Sequence, residues 1–77
     1  MIESLVKINL LDIVALNVSL PEYNLLVGQV GTIVELLAPN VYEVEFSDDN
    51  GQTYAMLPLR YDQLIRLHYQ TMVSELS

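Results

Sequence analysis

The run from Leu25 to Phe46, LLVGQVGTIVELLAPNVYEVEF, most constrains what this chain can become. Gly28 and Gly31, three residues apart, stand near its start. Glycine at such positions supplies a positive φ or room for close backbone approach, as bulges and barrel corners require. Two β-branched segments follow, split by the turn Ala38-Pro39-Asn40. This is the pattern of a curled antiparallel hairpin at the centre of a very small barrel. In its second half Tyr42, Val44 and Phe46 alternate with Glu43 and Glu45, so the first set faces the core and the second faces out.

Reading outward from this hairpin gives five strands. The first is expected over about Leu11–Asn17, with Asp12 at its start placed to accept backbone N–H bonds across a loop. Ser19 to Asn24 forms a long loop containing Pro21. Strand two runs over about Gln29–Leu37 and strand three over Val41–Phe46. Asp48-Asp49-Asn50-Gly51 is the strongest turn signal, in which Asn-Gly supplies two left-handed residues. Strand four follows as Gln52–Leu57, ended by Pro58. Arg60–Gln63 reads as one 3₁₀-like turn and Leu64–Leu67 as a short closing strand. A helix beginning near Asp62 competes for the C-terminus, because Leu64, Leu67, His68, Met72 and Leu76 would share one helical face. The expected architecture is all-β, one five-stranded SH3-like barrel over about residues 10–67. A lead-in of residues 1–9 precedes it, and a tail of residues 68–77 follows.

Seventy-seven residues make one domain with little interior. There is no cysteine to staple it, yet apolar side chains are 52% of the chain, more than a narrow barrel can enclose. The surplus should lie on the surface, where apolar patches mark association sites. A homo-oligomer or a protein partner is expected on this ground.

Charge narrows the partner. Ten acids against Lys7, Arg60 and Arg66 leave −7, which opposes binding to phosphate backbones and favours basic proteins. The longest apolar stretches are interrupted by Asp12, Asn17 and Glu35, short of the ~20 residues of a membrane span. The N-terminus lacks the basic region of a signal peptide, so cytosolic residence is expected.

The blocks LLDIVALNVSLPEYNLLVGQVGTIVELL, YEVEFSDDNGQTYAMLPL and DQLIRL, in that order, resemble the bacterial family known as domain of unknown function 4926. The resemblance covers residues 10–67 and implies a small SH3-like β-barrel with no assigned biochemical role. It also suggests an antitoxin or immunity role beside a toxin-like neighbour. Val27-Gly28-Gln29-Val30-Gly31-Thr32-Ile33-Val34 is similar to the glycine-spaced core of the KOW motif of ribosomal proteins and transcription elongation factors. That resemblance implies an RNA- or ribosome-associated module. The chain has no Lys or Arg between Lys7 and Arg60, so the backbone geometry carries over and the nucleic-acid chemistry does not.

No enzyme, cofactor or metal site is expected. His68 is the only histidine, and Ser47 with His68 and Asp48 lacks a nucleophile-elbow signature. Asp48, Asp49 and Asn50 lack the spacing of a calcium loop and are explained by turn chemistry. What stands out is a candidate docking surface. Tyr23, Leu25, Tyr61, Leu67, Tyr69 and Met72 are its expected apolar contacts, and Glu43, Glu45, Asp48 and Asp49 its acidic rim, with Glu35 on the facing strand. A self-associating structural protein is the other reading of the same surplus.

Overall fold

The computed structural model describes residues 7–67. Five antiparallel strands form one sheet: β1 (Ile13–Leu16), β2 (Val30–Ala38), β3 (Val41–Ser47), β4 (Thr53–Arg60) and β5 (Leu64–Arg66). Their order is β4-β3-β2-β1-β5. No β4–β5 pairing closes the sheet, so the expected barrel is an open one. All five strands nonetheless feed one core, which includes Val14, Leu16, Ile33, Val44, Phe46, Leu57 and Leu64. A single sheet can do this only by curling around its own inner face.

The curl has local causes. In β2 the register to β3 shifts between Ile33 and Glu35 and again between Leu36 and Ala38, leaving Val34 and Leu37 as extra residues. Each bulge bends the strand and increases its twist. Gly31 allows β2 to approach β3, because a Cβ there would stand 2.8 Å from Val44 Cγ1. Gly28 serves the other purpose, with φ 93° in the turn leading into β2. The two glycines thus divide the two roles the sequence offered.

The connections are tightly hydrogen-bonded. Pro39 and Asn40 link β2 to β3 in two residues, with Asn40 at φ 64°, the arrangement of a type II turn. The β3–β4 turn differs from expectation. Gly51 is left-handed (φ 81°) and Asn50 is not. Gly51 N–H donates to Asp48 O and Asp48 N–H to Gln52 O, giving a three-residue loop and a bulge after Phe46. The Asp48 carboxylate explains the choice: its Oδ1 accepts the N–H groups of both Asn50 and Gln52 at 2.9 Å.

Two further expectations change. Pro58 does not end strand four, which continues to Arg60. β4 is an edge strand, so the missing N–H of Pro58 deprives no neighbour. Strand one begins at Ile13 rather than Leu11, because Asn9 to Asp12 form a turn with Leu11 at φ 71°. Asp12 then acts as anticipated: its Oδ2 accepts Asn9 N–H at 2.8 Å and pairs with Arg66 Nε at 3.1 Å. Residues 61–63 form the expected 3₁₀ turn, and 64–66 are strand rather than helix. Any helix beyond residue 67 falls outside the described residues. In the lead-in, Ile8 is part of the core.

Candidate protein-docking surface

The outer face of the sheet divides into two halves along β2. The alternation of β3 sends Tyr42, Val44 and Phe46 inward and Glu43 and Glu45 outward, as the sequence predicted. Strict alternation would put Glu35 on the same side as Gly31 and Ile33, which face the core. The extra residue Val34 reverses that phase, and Glu35 lies directly opposite the outward Glu43. Glu45 stands in the neighbouring row, between Thr32 of β2 and Met56 of β4. The Thr53 hydroxyl donates to Glu45 Oε2. Three carboxylates therefore share one ridge, and like charges directly opposite each other oppose folding.

No cation among the described residues is paired with that ridge. Arg60 pairs with Asp62 at 3.1 Å, and Arg66 is held by Asp12 at the end of β1. Asp49 is exposed at the β3–β4 turn, and Asp48 beside it is committed to the backbone of that turn. Of the anticipated acidic residues, Glu43, Glu45 and the facing Glu35 lie together on the outer face, Asp49 is exposed at the turn, and Asp48 serves mainly as a turn residue.

The other half of the face, on β2, β1 and β5, carries no charge. Val30, Ala15 and Ile65 form one transverse row, since Ala15 is the register partner of both others. Thr32 and Ile13 form the next, and Leu67 joins it by donating its N–H to Ile13 O. Val30 and Ile65 are 46% and 49% exposed.

The expected apolar contacts are scattered. Tyr23 is exposed on the 3₁₀ turn Pro21–Tyr23. Leu25 is a correction: it is fully buried, because it pairs with Leu20 in a bridge that folds the long loop over the core. Tyr61 is half-buried against the core and lines a shallow groove with Pro39, Val41 and Arg60. Leu67 borders the uncharged half of the outer face. Tyr69 and Met72 lie outside the described residues.

Sequence reasoning missed the exposed pairs Leu10–Leu11, Leu26–Val27 and Leu36–Leu37. Each sits in a turn or at a bulge, where alternation no longer sorts side chains by face. Tyr54 is about half exposed, and its hydroxyl accepts the Gln29 Nε2 proton at 2.8 Å, which ties β4 to the long loop. Gln29 Oε1 in turn accepts Leu26 N–H.

Among the described residues, no three His, Cys, Asp or Glu side chains are placed so that they could hold a metal ion together, and no helix is long and apolar enough to cross a membrane. A family model described as Domain of unknown function (DUF4926) matches residues 10–66. No curated protein and no solved structure matches the chain.

Proposed function

Because the chain belongs to the DUF4926 family, whose description carries no activity, we propose from its surface that it is a non-enzymatic protein-binding module for a basic partner. The observation that supports this reading is the carboxylate ridge: Glu35 opposite Glu43, with Glu45 beside them and no cation of the described residues among them. Such an arrangement weakens the free protein and is relieved when cations arrive. Lys and Arg side chains of a partner would meet the carboxylates with their charged ends. Their aliphatic stems would lie over Thr32 and the half-exposed Met56. The ridge would also steer encounter, giving fast, salt-sensitive association. An antitoxin or immunity protein would use this device to cover a basic surface of a toxin-like neighbour.

The test is affinity capture from the native host, read by mass spectrometry, with the parent chain and a Glu35→Lys/Glu43→Lys/Glu45→Lys variant. A basic protein should be retained by the parent at about 50 mM salt, where exposed charges are weakly screened. It should be lost at about 500 mM and lost from the variant at both. An unchanged set of captured proteins would remove the ridge from the account.

A further inference from the structure

We propose that Asn50–Gly51, at the tip of the β3–β4 hairpin, is a site of spontaneous deamidation, and that opening of the turn held by Asp48 sets its rate. This is independent of the basic-partner reading and concerns a covalent change rather than a contact.

The reaction needs a backbone nitrogen that can reach the side-chain amide of the residue before it. The Gly51 nitrogen attacks Asn50 Cγ, and the new N–Cγ bond closes a five-membered imide ring. The Cγ–Nδ2 bond breaks, and Nδ2 leaves as ammonia with the proton that the Gly51 nitrogen gives up. Water then opens the ring. Cleavage at Cγ yields aspartate. Cleavage at the Asn50 backbone carbonyl yields isoaspartate, in which the main chain runs through the former side chain. Either product adds one carboxylate to a chain that already carries −7.

The following residue selects the site. Asn9 and Asn24 precede leucine, and Asn17 and Asn40 precede valine, side chains that crowd the attacking nitrogen. Asn50 alone precedes glycine. Nothing lies within 4 Å of the point where a Gly51 side chain would begin. Asn50 and Gly51 are both exposed, so water reaches the ring once it forms. Among the described residues no hydrogen bond restrains the Asn50 side-chain amide.

The closed turn is the brake. Gly51 N–H donates to Asp48 O at 2.9 Å, which holds the proton that must leave and fixes the nitrogen against rotation. Asp48 Oδ1 accepts the N–H groups of Asn50 and Gln52, each at 2.9 Å. Freeing the Gly51 nitrogen opens the turn that all three bonds close. Each such bond shifts an equilibrium by a factor of about 2–10, so together they slow the reaction roughly 10–1,000-fold. Such local openings do not require the sheet to unfold.

The experiment incubates the full chain near pH 8, native and in about 8 M urea, and follows Asn50 by peptide mass spectrometry and enzymatic isoaspartate labelling. The native chain should convert at Asn50 before any other asparagine, about 10–1,000-fold more slowly than the unfolded chain. Asp48→Ala, which removes two of the three bonds, should speed native conversion at least about fourfold and leave the rate in urea within about twofold. If that variant does not fold, exchange of the Gly51 amide proton in the parent gives the second measurement, because it waits on the same opening. Native deamidation should be slowed at least as much as that exchange. A native rate lower by more than about a thousandfold, earlier conversion at another asparagine, a folded Asp48→Ala chain with the parent's native rate, or deamidation slowed less than exchange would each overturn the proposal.

Discussion

Replacing Gly31 with alanine probes the closest approach within the sheet. The added Cβ would lie 2.8 Å from Val44 Cγ1, 2.9 Å from the Glu45 carbonyl oxygen and 2.9 Å from Phe46 Cε1. Ordinary contacts lie at 3.4–4 Å, so the shortfall is half an ångström or more at three atoms together. Val44 and Phe46 are fully buried and have no empty space to enter. The Glu45 oxygen belongs to β3 and recedes only if β2 and β3 part. Overpacking of this kind typically costs about 1–3 kcal/mol, and a backbone contact places it near the upper end. Alanine returns about 0.5–1 kcal/mol of glycine's conformational entropy. The expected net loss is about 2 kcal/mol, a large share of the roughly 4–12 kcal/mol available to a domain of this length. It should lower the Tm by about 8–16 °C. Urea unfolding followed by far-UV circular dichroism measures it, with the m-value unchanged. Gly28→Asn is the control: nothing lies within 4 Å of a Cβ there, and asparagine tolerates its positive φ, so the loss should stay below about 1 kcal/mol. A Gly31→Ala chain within about 0.5 kcal/mol of the parent would refute the claim that close approach reserves this position for glycine.

Leu11 holds φ 71° while 69% exposed, a conformation that costs a leucine about 1–2 kcal/mol with little burial in return. Leu11→Asn should therefore raise stability by about 0.5–1 kcal/mol, and a calorimetric Tm at or below the parent's would contradict it. The Tyr42 phenol is raised above its usual 10.0, first by burial and then by Tyr61. The unfolded chain releases this proton near pH 10, before the folded chain does, so stability is intact below that pH and falls as pH rises through the folded pKa. Tyr42→Phe should flatten the decline that sets in above about pH 10, as read by urea midpoints; parallel slopes would argue against the assignment.

Much of the architecture was legible because it is local. The Tyr42, Val44 and Phe46 alternation, the capping Asp12 and the single turn at residues 61–63 all follow from side-chain chemistry within a few residues. Two of the errors arose where the pattern of neighbouring residues does not decide the outcome. Pro58 could remain in a strand only because β4 has no second neighbour. Leu25 could be buried only because its loop folds back through Leu20. Of the candidate surface, Glu43 and Glu45 were readable from their spacing, whereas the row of Val30, Ala15 and Ile65 joins three segments far apart in the chain.

Hydrophobic period, turn chemistry and net charge are properties of neighbouring residues, so the amino-acid order alone determined an all-β chain, an inward face on β3 and an acidic character. Which carboxylates meet, and which apolar side chains stay outside, was decided by register between strands. One extra residue at Val34 reverses the phase of β2 and brings Glu35 opposite Glu43. Register is a tertiary quantity, because a single-residue slip exchanges the two faces of a strand.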